Sequence, residues 1–547
     1  MLTTYLCLEI AIKNSIKSYA GGLGILAGDT LKAATDLGLE MNAFTLLYKN
    51  GYFRQGIDPI SGRQIEENDT WDYQNILINL NTKFEIEIEN KKLWVQVWKY
   101  DLIGANSIVP VYFLDTNLDE NDDEAKSICS NLYSRYEHTR LKQEILLGVG
   151  SILAQKAMNH ELSKNYHLNE SHAAFAIPYL VNELGSRDLA KKKIVFTTHT
   201  PLEHGHKKYP VDFLQKFVEL KLMQAMLDTS SDKTIINMTK YCLENSNFAN
   251  AVAKKHGEVM KKMFPNFDIE HITNGIHTAT WISRPIQRLL DKYNPSWFED
   301  SDNLRNSMTL DGIELWGAHT ENKKNLIELV QQKTSIVLDP NIFTIGFARR
   351  VDSYKRQNFI FKDIERLNAI AKKFGGLQLV FSGKAYPNTA DENSTIAEIY
   401  KLSKRDDLNF KVAYIPNYDM DTSIKMVSGA DIWLNNPQRP QEASGTSGMK
   451  ASLNGLPNFS VVDGWWVEGL QENITGWAIG DENNHLGNEE YELNDLYNKL
   501  ESVVLPMYYF DTKKWLDMMR QSISINASYF NTQRMLNEYL TKAYLKN

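Results

Sequence analysis

Short apolar runs that alternate with helical patterns constrain the fold of this chain more than any other feature of its sequence. The clearest runs span 41–48, 108–114 and 194–198 in the first half, and 342–348, 377–382, 410–415 and 432–435 in the second. Each run is followed by a turn and then by a helical stretch, which is typical of parallel α/β architecture. We therefore predict an α/β protein. The regular spacing of the second set predicts one doubly wound sheet.

Chain length and one connecting region predict two domains. At 547 residues the chain is too long for one ordinary core. A mostly helical stretch, roughly 282–333, separates the two sets of runs and contains two prolines and a polar segment. We predict an N-terminal domain over 1–280 and a C-terminal domain over 281–547, both Rossmann-like and facing each other across a cleft. In such folds the ligand lies beyond the carboxyl ends of the strands.

Charge and cysteine content exclude several classes of partner. With 60 Lys and Arg against 68 Asp and Glu, the formal net charge is −8, so neither nucleic acid nor an anionic membrane is an expected partner. The cysteines Cys7, Cys129 and Cys242 are far apart, which predicts no metal site and no disulfide framework. The sequence shows no signal-peptide pattern and no run of about 18 apolar residues. We expect a cytoplasmic protein.

Closely spaced glycines in the segment 19–29 lead into a helical pattern that ends near Gly38. Glycines before a helix let backbone N–H groups approach an anion without a Cβ in the way. The segment therefore predicts an anion-binding loop around Gly21 and Gly22. A tight turn with Asp29 as the helix N-cap is the alternative, and the loop alone does not exclude it.

Four cations follow the apolar run 342–348 within eight residues, namely Arg349, Arg350, Lys355 and Arg356. Unpaired charge next to a core is costly. Arginine and lysine together are the usual means by which proteins hold a dianion such as phosphate. We predict a phosphate site here, with Arg356 as the cation that is expected to remain in solvent.

The segment 439–450 contains small residues that open a helix, and it is a second candidate anion site. Lys450 is the last residue of this segment, and the residues around it are otherwise small and apolar. A lysine in such a place usually extends to solvent. A lysine beside a phosphate cradle is also what a Schiff-base cofactor requires. The residues alone leave both interpretations open.

Three shorter polar segments, 169–172, 197–201 and 273–277, also stand near the ends of apolar runs. They include His199 and Asn274. Each such residue taken alone is more often structural than functional. Their repeated placement favours a shared site at the carboxyl edge of a sheet.

Taken together, these segments resemble the α-glucan phosphorylases, the family of glycogen, starch and maltodextrin phosphorylases. The resemblance runs through nearly the whole chain, and its glycine loop is similar to that of the short bacterial and archaeal branch. The segments that carry it are 5–9, 20–29, 140–144, 274–276, 354–357, 382–385 and 442–450. The resemblance implies the two-domain GT-B glycosyltransferase fold. It also implies reversible, retaining phosphorolysis of the non-reducing ends of α-1,4-glucans, such as glycogen or maltodextrin, to α-D-glucose 1-phosphate.

The resemblance further implies a role for each residue at a matching position. A pyridoxal phosphate cofactor would be linked to Lys450, with its ring near Tyr418 and its phosphate near Gly22, Thr446 and Ser447. Arg350 and Lys355 would hold the substrate phosphate, with help from the backbone of Gly21 and Gly22. The residues implied to hold the glucosyl unit are His199, Asn274, Tyr354, Glu442, Ser444 and Gly445. The implied catalytic residues are Arg350, Lys355, His199 and Glu442. Two phosphates held close together would require many cations and N–H donors.

The sequence departs from longer family members in several places. Only a short stretch separates Cys129 from Arg140, where those members carry a loop that gates the glucosyl site. Gly448 replaces the usual asparagine. The regulatory phosphorylation and nucleotide sites of the animal enzymes have no counterpart, so we expect no allosteric sites of that kind. Family members are commonly dimers, which suggests a homodimer. The preferred glucan stays open, because Trp465 and Trp466 could stack on sugar rings or belong to the core.

Two other functions are compatible with the same fold. A sugar-nucleotide glycosyltransferase such as a glycogen synthase would need a lysine two residues before Gly21, where this chain has Tyr19. It would also have no use for Lys450. A degenerate protein that only binds glucan would not need intact Arg350 and Lys355. Phosphorolysis is therefore the function that the sequence favours.

Overall fold

The computed structural model describes residues 2–134, 136–387, 389–481 and 487–546. Packing divides the chain into two compact units. The first unit comprises Met1–Phe53, Asn68–Thr273 and Thr532–Asn547, and the second comprises Arg54–Glu67 and Asn274–Asn531. The sequence predicts one change of domain near residue 280. It does not predict that the segment Arg54–Glu67 belongs to the second unit, or that the segment Thr532–Asn547 belongs to the first.

The strands are numbered in chain order. They are β1 (Thr3–Leu6), β2 (Met41–Leu46), β3 (Arg54–Ile57), β4 (Gln64–Glu67), β5 (Ile78–Ile88), β6 (Lys91–Ile103), β7 (Ile108–Asp115), β8 (Asn165–Asn169), β9 (Ile194–Thr197), β10 (Lys208–Pro210), β11 (Ile235–Asn237), β12 (Phe248–Ala251), β13 (Glu270–His271), β14 (Thr344–Ala348), β15 (Leu377–Ser382), β16 (Phe410–Ile415), β17 (Ile432–Asn435), β18 (Asn458–Val461) and β19 (Gly476–Ile479).

The α-helices are numbered in the same way. They are α1 (Gly22–Asp36), α2 (Tyr73–Ile76), α3 (Asp123–Ser127), α4 (Glu137–Ala157), α5 (Ala176–Leu184), α6 (Arg187–Lys192), α7 (Val211–Leu214), α8 (Leu220–Thr229), α9 (Met238–Glu244), α10 (Lys254–Met263), α11 (Thr278–Trp281), α12 (Arg284–Tyr293), α13 (Gly312–Thr334), α14 (Ile364–Lys373), α15 (Ala390–Leu402), α16 (Met420–Gly429), α17 (Ser447–Leu453), α18 (Trp466–Gly469), α19 (Glu489–Lys499), α20 (Leu505–Phe510), α21 (Thr512–Gln521) and α22 (Thr532–Tyr539).

The first unit is built on a sheet with the strand order β13-β12-β9-β8-β1-β2-β7-β6-β5. Its central strands are buried on both faces, which is the burial pattern of parallel strands covered by helices. Leu6 and Phe44 pack in one apolar cluster, whereas their neighbours Tyr5 and Ala43 pack in another. Because successive side chains of a strand point to opposite faces, these clusters lie on the two sides of the sheet.

One edge of this sheet departs from the predicted parallel architecture. The strands β5, β6 and β7 pair antiparallel. Glu89 and Asn90 connect β5 to β6, and both have positive φ angles, 59° and 57°. Two residues with positive φ form the turn whose twist matches an antiparallel hairpin. The strand-like pattern on either side of Glu89 and Asn90 alternates, which is the sequence signal for this hairpin.

The second unit contains a parallel sheet with the order β16-β15-β14-β17-β18-β19. The predicted apolar runs 377–382, 410–415 and 432–435 coincide with β15, β16 and β17. The order reverses between β14 and β17, and a doubly wound sheet binds its ligand at such a point. The hairpin β3–β4 also packs on this unit, where the Nε2 atom of Gln55 donates a hydrogen bond of 2.8 Å to the carbonyl of Gly383.

The last helix, α22, packs within the first unit together with the residues that follow it. The hydroxyl of Tyr544 lies 2.6 Å from Nδ1 of His167, and the side chain of Asn250 donates to the hydroxyl of Tyr539 at 3.0 Å. These contacts are buried and polar, so they fix the position of the segment more specifically than apolar packing alone. Among the described helices, none is both long enough and apolar enough to cross a membrane.

Candidate active site

The site in the second unit is built from loops that follow three neighbouring strands. β14 pairs with β17, and β17 pairs with β18. β14 leads directly into Arg349 and the short helical turn Ser353–Lys355, β17 leads into the loop that carries Glu442, and β18 leads into Asp463. Because all three strands are parallel, their carboxyl ends meet at one edge of the sheet. The predicted phosphate segment and the predicted lysine segment are therefore brought together.

The carboxylate of Glu442 is shared between two cations. Its Oε2 atom accepts hydrogen bonds from Nζ of Lys355 at 2.6 Å and from a guanidinium nitrogen of Arg349 at 2.7 Å. Lys355 is 6% exposed and Glu442 is 8% exposed. Charge-assisted hydrogen bonds of this length are strong, and buried partners depend on each other for compensation. This triad of Glu442, Lys355 and Arg349 fixes the loop after β14 against the loop after β17.

Burial and neighbouring charge shift the pKa values of this triad. Despite burial, the guanidinium of Arg349 and the ammonium of Lys355 lower the pKa of Glu442 to about 2. Burial and the nearby charge of Arg349 lower the pKa of Lys355 to about 7. Glu442 is therefore a permanent anion at neutral pH, which makes it unsuitable as a general base. Lys355 lies where an additional anion would stabilise its protonated form.

Arg350 lies next to the triad and is only partly buried. Its guanidinium donates to the hydroxyl of Tyr386 at 2.6 Å and to Asp352 at 3.2 Å. It also lies over the ring of Tyr386, 4.5 Å from the ring centroid. These contacts hold the long side chain in one conformation while its charge stays accessible at the surface. A guanidinium arranged in this way is suited to bind a phosphate.

Lys450 is 5% exposed, and its Nζ atom lies 3.4 Å from the centroid of the Trp281 ring. The amide of Asn454 donates to the carbonyls of both Lys450 and Trp281 at 2.9 Å, which ties α17 to α11. The alternative that Lys450 extends to solvent is therefore wrong. Tyr418, the predicted neighbour of a cofactor ring, is partly buried and donates to Ser423 at 2.8 Å.

Several buried polar atoms beside the triad fit a bound polar ligand. Nε of Arg349, Oδ1 of Asn435 and Oγ of Ser444 have no hydrogen-bond partner within the described part of the chain. These residues line one cavity together with Gly445 and Ser447. Buried polar atoms are nearly always satisfied in proteins, so a cluster of unsatisfied ones indicates a ligand. Nε of Arg349 and Oγ of Ser444 can donate to a phosphate, whereas Oδ1 of Asn435 only accepts and suits a hydroxyl group of a ligand. Lys450 stands on α17, the helix that begins at the cavity-lining Ser447, and would supply the amine that the aldehyde of the implied cofactor requires. The residues present thus fit that cofactor.

Of the remaining predicted sugar and cofactor contacts of this unit, Tyr354, Gly445 and Thr446 lie on the same loops, whereas Asn274 follows β13. Nζ of Lys355 lies 4.3 Å from the ring centroid of Tyr354, whose pKa is raised by burial. Gly445 has a φ of 80°, and a Cβ there would lie 3.3 Å from Oε1 of Glu442. Thr446 precedes α17 as its N-cap residue. Asn274 is buried at the start of the second unit, after β13.

His199 belongs to a polar cluster in the first unit, at the carboxyl ends of β8 and β9. Its Nε2 atom lies 2.6 Å from Oδ1 of Asn169, and its backbone N–H donates to Glu170 at 2.8 Å. Burial lowers the pKa of His199 to about 4, so the ring is neutral at physiological pH. Glu170 has a φ of 78°, a conformation that costs energy for a residue with a side chain and is often found at functional sites.

The glycine loop also belongs to the first unit. α1 begins at Gly22, and Asp29 lies inside this helix, so the alternative with Asp29 as N-cap is wrong. The N–H of Gly21 donates to the carboxylate of Glu9 at 2.9 Å. That N–H is already engaged, whereas the first N–H groups of a helix have no partner within it. Gly22 is therefore better placed than Gly21 to offer an amide to an anion.

Two expectations about individual side chains need comment. Arg356 is not in solvent as expected, because it donates to Glu492 at 2.6 Å and to the carbonyl of Asn436 at 2.8 Å. It stabilises the loop after β17. Trp465 and Trp466 are both buried, at 4% and 1% exposure, so the structure supports their alternative interpretation as core residues.

Three residues of the site were given no individual role by the sequence-based prediction. Arg349 was recognised as a cation, but not as the partner of Glu442. Trp281, which lies against Lys450, has no distinctive sequence signal. Asp463 stands directly after the apolar residues of β18, as Arg349 does after β14, so the signal used elsewhere could have identified it.

The arrangement combines excess positive charge with a buried amine. Three cations, Arg349, Arg350 and Lys355, stand beside two paired carboxylates, Glu442 and Asp352. The excess cation attracts an anion, so the pocket is suited to bind phosphate through its side chains. No group of His, Cys, Asp and Glu residues in the described ranges has the geometry of a metal site.

Comparisons with known proteins show which family this chain is similar to. The family model described as "Carbohydrate phosphorylase" matches residues 219–545. The chain is 37% identical to the maltodextrin phosphorylase of Thermococcus litoralis, over 99% of this chain and 70% of that protein. It is 31% identical to the glycogen phosphorylase of Aquifex aeolicus (99% and 86%) and 30% identical to that of Mycobacterium tuberculosis (99% and 70%).

Replacing Glu442 with glutamine should destabilise the protein near neutral pH, because Lys355 and Arg349 would lose their counter-charge. Removing one partner of a buried ion pair costs about 3–5 kcal/mol. The folded pKa of Glu442 lies below its ordinary value of 4.5, so its stabilisation is present above that value and is lost as the pH falls towards about 2. Thermal denaturation should show a difference from wild type that is largest near pH 7 and shrinks in acid.

Glu490→Gln, which changes an exposed glutamate of the same unit, is the control and should leave the melting temperature unchanged within error. A Glu442→Gln variant as stable as the wild type at neutral pH would contradict the ion-pair account.

Proposed function

Because the chain belongs to the carbohydrate phosphorylase family, we propose that it is an α-1,4-glucan phosphorylase. It transfers the terminal glucosyl unit of an α-glucan to inorganic phosphate and releases α-D-glucose 1-phosphate. The observation that carries this proposal is the Glu442 carboxylate held between Lys355 and Arg349, beside Arg350. A buried anion that aligns cations at a strand edge suits an enzyme that must hold both a sugar and a phosphate.

The cofactor is the first part of the proposal. Proteins of this family use pyridoxal phosphate. We assign its attachment to Lys450, its ring to the neighbourhood of Tyr418, and its phosphate to Thr446, Ser447 and Gly22. The buried position of Lys450 supports this assignment, and so do the unsatisfied polar atoms of the cavity lined by Ser447, which is on the same helix. When bound, the cofactor supplies a phosphate group that can exchange a proton with the substrate phosphate.

The second part of the proposal concerns the substrate phosphate. Arg350 and Lys355 bind it, and the backbone at Gly22 contributes an N–H donor. Gly21 shapes the loop, since its own N–H is engaged by Glu9. Binding a dianion next to Lys355 raises the pKa of that lysine from about 7 and keeps it protonated. The phosphate therefore strengthens the charge of the site that holds it.

The glucosyl unit is held by hydrogen bonds to its hydroxyl groups. Glu442 accepts from them, and its orientation is fixed by two cations. Ser444, Gly445, Tyr354 and Asn274 complete this set. His199 contributes a neutral imidazole, because its pKa is only about 4. These contacts position the anomeric carbon and exclude water, which would otherwise hydrolyse the bond.

The reaction then needs no pair of catalytic carboxylates. The substrate phosphate gives its proton to the glycosidic oxygen, and the bond between that oxygen and the anomeric carbon breaks. An oxygen of the same phosphate bonds to the anomeric carbon from the same face, so the configuration is retained. Arg350 and Lys355 stabilise the negative charge of the phosphate throughout. Glu442 cannot act as the acid of a glycosidase, since its pKa is too low.

The arrangement of the two units is also part of the proposal. We assign to the chain the two-domain glycosyltransferase fold of its family, in which both strand-end clusters act on one substrate. Each unit supplies a distinct part of the chemistry. The first offers the glycine loop and His199, and the second offers the cations, Glu442 and Lys450.

Lys450→Ala should abolish cofactor binding and phosphorolysis together. The purified wild type, loaded with pyridoxal phosphate and dialysed, should retain the visible absorbance of the bound cofactor, whereas the variant should be colourless. Lys404→Ala, which removes an exposed lysine of the same unit, should behave as the wild type. Cofactor that stays bound to the alanine variant after dialysis would refute the assignment.

Arg350→Ala should reduce phosphorolysis by at least about 100-fold, the usual cost of losing a group that stabilises charge in the transition state. The cofactor absorbance should be unchanged, because Lys450 is intact. Initial rates with maltooligosaccharides and phosphate provide the measurement. The matched control is Arg405→Ala, which removes an exposed arginine paired with Asp407 and should leave the rates unaltered. Wild-type turnover in the Arg350 variant would rule out its role.

A further inference from the structure

Asp463 lies beneath the loop that carries Glu442, and it is the feature of this site that the mechanism leaves unexplained. Its side chain is 3% exposed. The Oδ2 atom accepts the backbone N–H of Glu442 at 2.9 Å, and the Oδ1 atom accepts the backbone N–H of Gly464 at 2.9 Å. Within the described chain, no lysine, arginine or histidine forms an ion pair with it. Both oxygens are thus devoted to backbone groups.

Keeping a carboxylate in this place is costly. Burial raises the pKa of Asp463 to about 7, and the negative charge of Glu442 acts in the same direction. A buried carboxylate without a cation normally destabilises a protein. A neutral side chain of similar shape would avoid this cost. A carboxylate at this position therefore indicates a role that requires two hydrogen-bond acceptors on one side chain.

A second set of contacts shows what the segment after β18 does. The N–H of Trp465 donates to the carbonyl of Ser444 at 2.9 Å. Gly464 has a φ of 55°, and a Cβ on it would lie 2.4 Å from that same carbonyl. The segment 463–465 thus follows the loop closely and bonds to it on both sides of Ala443. The backbone of Glu442 has little freedom to move.

The side chain of Glu442 depends on this restraint. Its carboxylate must reach Lys355 and Arg349 at 2.6 and 2.7 Å while it also presents an oxygen to the sugar. A shift of about 1 Å in such a group can reduce catalysis by about 100-fold. The two cations lie on the loop after β14, so they cannot by themselves fix the main chain of the loop after β17.

We propose that Asp463 is a positioning residue of phosphorolysis, which holds the main chain of Glu442 so that its carboxylate aligns the glucosyl unit and Lys355 together. Asp463 does not touch the substrate and acts through Glu442. This inference rests on the proposed function. It adds a residue on a third strand end to the machinery of the site.

A double-mutant cycle separates positioning from general structural support. The four proteins are the wild type, Asp463→Asn, Glu442→Gln and the double variant, all loaded with pyridoxal phosphate. Asparagine keeps one acceptor and turns an NH₂ group towards the other backbone N–H. We expect kcat/KM for maltooligosaccharide phosphorolysis to fall about 10- to 100-fold in Asp463→Asn. In the Glu442→Gln background, the same change should cost about twofold or less, because the group it positions is already gone.

Two further variants calibrate the result. Asp363→Asn changes another aspartate of the same unit that accepts a backbone N–H, at the start of α14, and should leave kcat/KM unchanged. Gly464→Ala disturbs the same loop from the other side through the clash with Ser444, so it should reproduce the loss seen in Asp463→Asn. The cofactor absorbance should remain in all of these variants, because Lys450 is not altered.

A loss of the same size in both backgrounds would mean that Asp463 acts independently of Glu442, and it would overturn the proposal. Undiminished kcat/KM in Asp463→Asn would do the same. Hydrogen–deuterium exchange gives a readout that does not need activity, since peptides spanning 441–446 should exchange faster in Asp463→Asn than in the wild type. Equal exchange would also overturn the proposal. A wild type without phosphorolysis would instead refute the proposed function, and the exchange comparison would still report whether Asp463 holds the loop.

Discussion

The carboxylate of Glu442 lies between the side chains of Lys355 and Arg349 and holds the two cations beside each other. The rest of the second unit's site depends on this contact. Both cations lie within 2.7 Å of the same Oε2 atom, so Lys355 and Arg349 would repel each other without that anion between them. Burial has already lowered the pKa of Lys355 to about 7. The carboxylate therefore lowers the free-energy cost of placing these cations close together, and a phosphate dianion can then bind to them. Glu442 serves the fold and the proposed chemistry by the same hydrogen bonds.

The residues around this contact come from three strand ends and one short helix. β14 supplies the cations, β17 supplies Glu442, β18 supplies Asp463, and α17 supplies Lys450. Lys450 lies against Trp281 in the interior, where a lysine is normally unfavourable. The proposed covalent attachment of a cofactor would explain why the chain keeps an amine there. A bound ligand would also give hydrogen-bond partners to the unsatisfied polar atoms of Arg349, Asn435 and Ser444.

Much of this architecture could be predicted from the sequence, because buried parallel strands leave continuous apolar runs and their loops concentrate charge. β15, β16 and β17 coincide with predicted runs, and Lys355 and Glu442 were assigned through their motifs. The hairpins β5–β6 and β3–β4 were missed, although their strands are close in sequence and the pattern on either side of Glu89 and Asn90 alternates. Arg356 was misjudged because its partner Glu492 lies far along the chain. The position of Asp463 near the end of an apolar run marks it as a candidate site residue, but its partners are backbone amides, which a residue pattern does not identify.

The central claim is that Lys450 carries a phosphate-bearing cofactor within reach of a second phosphate held by Arg350 and Lys355. A crystal structure of the protein grown with pyridoxal phosphate and inorganic phosphate tests it most directly. The account predicts electron density that continues from Nζ of Lys450 into the cofactor, with a separate phosphate in hydrogen-bond contact with both Arg350 and Lys355. Density for the cofactor elsewhere, with Lys450 unmodified and the two cations bonded only to protein, would contradict it.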